Sequence, residues 1–122
     1  MLGYVTLGTN DIEKAAAFYD KICAEFGVGR MMEDENFIAW ANPGGGCGIG
    51  LTKPFDGQPA TVGNGVMIAF QAESKEQVDK VYKLAIELGA TDEGEAGPRG
   101  DGSFYAGYFR DPDGHKCNVF VM

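Results

Sequence analysis

FYAGYFRDPDGHKCNVFVM, residues 104–122, is the stretch whose reading decides the fold. Two runs dense in aromatic and β-branched residues flank Asp111-Pro112-Asp113-Gly114, a strong local signal for a β-hairpin. Proline at the second turn position presets φ, Asp113 tolerates the next position, and Gly114 accepts a positive φ. The expected geometry is therefore a type I turn closed by a left-handed glycine. In that geometry Asp111 faces His115, Tyr108 lies opposite Asn118, Ala106 opposite Phe120 and Phe104 opposite Met122. The last three pairs then share one sheet face. Tyr105, Gly107, Phe109, Cys117, Val119 and Val121 share the other. One face must cover a helix, and the other is free to line something.

Working back from the hairpin, the same order of elements occurs twice. Tyr4–Gly8 reads as a strand. Asn10 with Glu13 forms a capping box, and Ile12, Ala16, Tyr19, Cys23 and Phe26 make a helical stripe that ends at Gly27. Arg30–Glu33, residues 36–41 and residues 47–52 read as three strands, the last two joined by Asn42-Pro43-Gly44-Gly45-Gly46. Residues 54–65, rich in Pro and Gly, read as a linker. Beyond it residues 66–71 form a strand. Ser74 with Gln77 caps a helix striped by Val78, Val81, Ala85 and Leu88 and stopped at Gly89. Residues 91–95 form a weaker strand, a loop occupies residues 97–102, and the hairpin completes the unit. A tandem repeat of one β-α-β-β-β unit is the economical reading, with module one at 1–53, the linker at 54–65 and module two at 66–122 in a single domain.

Charge narrows the partners. The chain has 10 Lys plus Arg against 18 Asp plus Glu, a formal charge of −8, and lacks the cation clusters that a phosphate backbone requires. Nucleic acid and anionic membrane are not expected, whereas a neutral or cationic small molecule is compatible. The odd cysteine count, Cys23, Cys47 and Cys117, has no metal-binding spacing and reads as reduced buried thiols within predicted elements. The opening Met1-Leu2-Gly3-Tyr4 does not read as a secretory leader, and no apolar run approaches spanning length. A cytoplasmic protein is the expectation.

YVTLGTNDIEKAAAFYDKICAEFG, NGVMIAFQAESKEQVDKVYKLAIELGA and YAGYFRDPDGHKCNVFV together resemble the vicinal oxygen chelate superfamily, which holds glyoxalase I, bleomycin-resistance proteins, fosfomycin-resistance enzymes and extradiol dioxygenases. The resemblance implies an α+β, glyoxalase-like fold in which two tandem β-α-β-β-β modules form a cleft-bearing partial barrel. It also implies a homodimer. Family members that use a metal hold one divalent ion at four strand positions, through His, Glu or Gln. In this chain those positions correspond to Tyr4, Met67, Asn118 and, approximately, Ile49. Tyr, Met, Asn and Ile offer neither imidazole nor carboxylate, so no metal and no cofactor is expected.

The side chains in phase with those positions are Tyr4, Thr6, Met67, Ala69, Gln71, Tyr108, Asn118 and Phe120, with Ile49 and Leu51 from the first half. That set is apolar and aromatic with a few hydroxyl and amide groups, which suits a small organic ligand. Tyr108 and Asn118 are the pair placed to orient it, or else they hydrogen-bond each other and fill the space themselves. Trp40 is a candidate for the rim. Arg99 and Arg110 are cations near the mouth whose common fate is a surface ion pair. His115 reads as a solvated turn residue, and Glu13, Asp20, Glu76 and Asp79 as a solvated helix face. The expected function is metal-independent small-molecule binding, as in bleomycin resistance. The rivals are a metal-dependent lyase or dioxygenase of the glyoxalase type and a structural or regulatory dimer with a self-filled cleft.

Overall fold

The computed structural model describes residues 1–122. It contains two α-helices and eight strands in two four-stranded sheets, neither closed into a barrel. The chain divides into two compact units, Met1–Val62 and Gly63–Met122.

In the first unit β1 (Tyr4–Gly8) is followed by α1 (Ile12–Ala24) and by β2 (Arg30–Glu33), β3 (Phe37–Trp40) and β4 (Gly48–Thr52), in sheet order β1-β4-β3-β2. Helix α1 starts one residue later than the capping-box reading expected. Asp11 is the N-cap, accepting from the Lys14 N–H at 3.1 Å. Asn10 instead clasps the linker, donating to the Ala60 carbonyl at 3.1 Å and accepting the Ala60 N–H at 2.7 Å. The first half of the linker thus belongs to the first unit rather than standing free of it. Ala15, Ala16, Phe18, Tyr19, Ile22 and Cys23 are buried on α1, and Gly27 takes a φ of 72° just past its end.

Asp20 is partly exposed, as a helix-face carboxylate should be, but it is not merely solvated. It accepts two hydrogen bonds from Arg30, each 2.8 Å, and one from the Trp40 indole N–H at 3.0 Å, tying α1 to β2 and β3. Trp40 is 1% exposed and packs against Tyr19. The face of the first sheet that carries Trp40 is therefore the helix face. Register places Ile49 opposite Trp40 and Leu51 opposite Ile38, so all four point the same way.

The second unit has the same plan: β5 (Met67–Gln71), α2 (Lys75–Glu87), β6 (Thr91–Arg99), β7 (Phe104–Arg110) and β8 (Lys116–Val121), in sheet order β5-β8-β7-β6. The Ser74 cap forms as expected, its hydroxyl accepting from Gln77 N–H at 3.1 Å, and Gly89 ends the helix at a φ of 99°. Strand β6 runs to Arg99, through residues read from sequence as loop, because register shifts at Gly94 and Gly97 let an irregular edge strand stay paired to β7. The hairpin forms in the expected register, with Tyr108 opposite Asn118 and Ala106 opposite Phe120. Gly114 has a φ of 94° and donates its N–H to the Asp111 carbonyl at 2.9 Å. The Asp111 carboxylate, 3% exposed, accepts the N–H groups of Asp113 and His115, which stabilises the turn from inside.

Two further side chains differ from expectation. His115 is buried rather than solvated, and its backbone N–H donates to the Asp111 carboxylate that closes the turn. Cys47 is exposed, because β4 begins only at Gly48; Cys23 and Cys117 are buried as expected.

Candidate ligand-binding face

The two faces of the second sheet are distinguished by what packs on them. The Tyr105 hydroxyl donates to Asp79 of α2 at 2.6 Å, and a Cβ added at Gly107 would lie 2.8 Å from the Tyr82 ring. Tyr105, Gly107 and Phe109, with cross-strand partners Val121, Val119 and Cys117, therefore cover the helix. Alternation places Ala106, Tyr108, Lys116, Asn118 and Phe120 on the opposite face. The parallel pairing of β5 adds Met67 beside Lys116, Ala69 beside Asn118 and Gln71 beside Phe120. Five sequence-predicted residues, Met67, Gln71, Tyr108, Asn118 and Phe120, thus share this helix-free face.

Asn118 is the unusual member. It is 2% exposed, and its Oδ1 has no hydrogen-bond partner. The expected hydrogen bond from Tyr108 is not made to that oxygen. A buried carbonyl left unpaired costs about 1–3 kcal/mol relative to a satisfied one, so the position carries an unmet demand for an N–H or O–H donor.

Two cations lie against the Tyr108 ring. The Arg99 guanidinium carbon lies 5.4 Å from its ring centroid and the Lys116 ammonium 5.7 Å. Arg99 is fixed there by its own strand, donating to the carbonyls of Glu95 at 2.7 Å, Gly97 at 3.0 Å and Pro98 at 3.3 Å. Neither Arg99 nor Lys116 forms a salt bridge. Arg110 does, to Glu93 at 2.6 Å, and that bond holds the Glu93 carboxyl below its usual range. Phe104 and Phe120 stack at 5.3 Å between centroids and form an aromatic edge to the face.

Sequence reasoning missed Lys116 and placed Arg99 in a loop. The signal for Lys116 was present, since a residue two before Asn118 on a strand shares its face. Arg99 was hidden by the glycines and proline of residues 94–100, which resemble a loop in composition.

In the first unit Tyr4, 64% exposed, and Thr6, also exposed, lie on the helix-free face of their sheet. Beside Tyr4 is an apolar depression of about 360 Å³ lined by Met31, Met32, Phe37, Ala39 and Ala41. Trp40 and Ile49 also border it. Their side chains, however, are directed to α1, and the Trp40 indole N–H already has a partner in Asp20. Register also revises the internal equivalence. Thr6 pairs with Gly50 as Ala69 pairs with Asn118, so the counterpart of Asn118 is Gly50, not Ile49. Phe37 lies so close over Gly50 that a Cβ there would sit 2.7 Å from its ring.

The residues at the four family metal positions do not fit a divalent ion. Tyr4 and Gly50 in one unit, and Met67 and Asn118 in the other, supply one phenol, one thioether and one amide. A catalytic first-row ion is held by imidazole, carboxylate or thiolate. No group of three or more His, Cys, Asp or Glu is arranged to bind a metal anywhere in the chain.

Comparison with known proteins places these features in context. The fold matches a crystal structure of a glyoxalase/bleomycin resistance protein from Albidiferax ferrireducens T118 at a TM-score of 0.89 and 35% identity, covering 100% of this chain and 98% of that one. A glyoxalase-related enzyme from Fulvimarina pelagi matches at a TM-score of 0.80 and 21% identity, over 100% and 88% of the two chains. Lactoylglutathione lyase from Agrobacterium tumefaciens matches at 0.72 and 21%, over 99% and 92%. These last two are likenesses of fold alone. No curated protein sequence matches. The family model for the Glyoxalase/Bleomycin resistance protein/Dioxygenase superfamily matches residues 1–119, and with the repeated β-α-β-β-β units and the relative at 35% identity, the chain belongs to that superfamily.

Proposed function

We propose that the chain binds a small organic molecule on the helix-free face of the second sheet, without a metal ion, with Tyr108 and Asn118 orienting it and Met67, Gln71 and Phe120 lining its place. The observation that carries this reading is the buried, unpartnered Asn118 Oδ1 beside a tyrosine with two cations against its ring. A ligand that donates one hydrogen bond to Oδ1 satisfies the only buried side-chain acceptor left without a partner. The exposed Tyr4, Met31, Met32 and Met67 are compatible with a homodimer that covers apolar surface, and free cysteines with a cytoplasmic setting.

The test is an NMR titration of isotope-labelled protein with a panel of neutral, cationic and anionic small organic molecules. Shift changes centred on Tyr108 and Asn118, abolished in Asn118→Leu, are expected. No shift from any compound overturns the reading. Turnover of methylglyoxal and glutathione on addition of stoichiometric nickel or zinc overturns its metal-independent part and restores the lyase alternative.

A further inference from the structure

We infer that the ligand of this face is an organic anion, a carboxylic acid carrying a hydroxyl or amino donor close to its carboxylate. The inference rests on the binding reading above and deepens it. What marks Arg99 and Lys116 is not the lack of a carboxylate partner, which other lysines of the chain share, but their convergence beside the unpaired Asn118 Oδ1. The two cations converge on one ring. Arg99 lies 5.4 Å and Lys116 5.7 Å from the Tyr108 centroid, and neither is in a salt bridge.

The neighbouring acid does not neutralise them. Glu93, the acid nearest in charge interaction to Lys116, is hydrogen-bonded to Arg110 at 2.6 Å instead. The Arg99 bonds run only to main-chain carbonyls, which fix the guanidinium without removing its charge. Its position is also built into the backbone. A Cβ at Gly94 would lie 3.2 Å from the Arg99 Nη2 and 3.5 Å from the Tyr108 ring, so glycine at that bulge is what lets the guanidinium settle beside the tyrosine.

Asn118 supplies the other half of the specificity. Its Oδ1 only accepts, so it selects a donor and repels a second carboxylate. Lys116 is two residues from Asn118 on the same strand and face, a separation of roughly 7 Å along a β-strand. The two side chains rise from neighbouring positions of one face, so a single small molecule that carries a carboxylate and a donor can reach both. A cationic ligand, which the overall charge of −8 makes compatible with the chain as a whole, is disfavoured locally by both cations.

Isothermal titration of the full chain with mandelate, phenyllactate, salicylate and anthranilate, each paired with its methyl ester, tests the inference. At least one acid is expected to bind on the order of tenfold more tightly than its ester, because only the acid gains charge-assisted bonds. That preference of acid over ester should vanish in Lys116→Gln or Arg99→Gln, whatever the absolute affinities, and should shrink as salt is raised. Equal affinity of acid and ester overturns the anion inference and leaves the binding reading standing. Absence of binding by every acid and ester overturns the inference. Failure of the broader panel to shift Tyr108 and Asn118 separately removes the reading beneath it.

Discussion

Asn118→Leu should make the protein more stable and unable to bind. The side chain is 2% exposed and its Oδ1 is unpaired, a deficit worth about 1–3 kcal/mol that leucine, of similar size, does not carry. Leucine would also bring apolar surface against Ala69, Tyr108 and Phe120. A net gain of about 1–2 kcal/mol is expected once imperfect packing of the branched side chain is subtracted. For a chain of this size that corresponds to a rise of roughly 4–8 °C in Tm. Urea unfolding followed by far-ultraviolet circular dichroism measures the change, with the denaturant slope checked for constancy. Trp40 is the single tryptophan and lies in the first unit, so its fluorescence controls for effects outside the second. A loss of more than about 1 kcal/mol would refute the reasoning, because the amide would then be making net favourable interactions in the free protein.

Other expectations follow from the ties between helices and sheets and from the thiols. Trp40→Phe removes the indole donor to Asp20 and leaves a gap beside Tyr19, which should cost about 2–3 kcal/mol in urea unfolding. The hydrogen bond from Arg30, reinforced by Trp40, holds the Asp20 carboxyl below its usual value of 3.8. A depressed folded-state value means stability that is complete above the ordinary aspartate range and lost as pH falls through the folded value. The stability gap between wild type and Asp20→Asn should therefore be constant near neutrality and close in acid. Among the cysteines only Cys47 is exposed, and burial, aided by Asp20, pushes the Cys23 thiol up to about 12. A thiol reagent should titrate one group in native protein and all three in denaturant.

The hairpin's turn and register were legible because their signals are local: Pro112 and Gly114 fix the turn, and strand alternation then assigns the strand side chains to faces, whereas the burial of His115 was not legible. The repeat was legible for the same reason, since caps such as Ser74 and stops such as Gly27 and Gly89 depend on short-range hydrogen bonds and φ. What escaped depends on contacts distant in sequence. Trp40 read as a rim residue because nothing nearby reveals that Asp20 will accept its N–H. Asn10 read as a cap, and its real partner, Ala60, lies far along the chain. The equivalence of Gly50 with Asn118 needed the strand register, because a glycine has no side chain by which to recognise a face. Of the candidate face, Asn118 and Tyr108 were legible as a pair, whereas Arg99 reached them only through the bulges of β6.

The turn at Asp111 also dictates a sequence in time. Strands β7 and β8 are joined by five residues locked by the Asp111 carboxylate, whereas β5 reaches β8 only by closing a loop that contains α2, β6 and β7. Hairpins close in roughly microseconds, and larger loops carry a greater entropy cost that must be met before their contacts form. Asp111→Ala should therefore slow folding, while Ala69→Gly should mainly speed unfolding, a division that the two arms of a denaturant chevron separate. Equal effects of both substitutions on the folding arm would show that β5 docks as early as the hairpin closes. On the expected order, Tyr108 and Asn118 are opposite each other before Met67 and Gln71 arrive beside them.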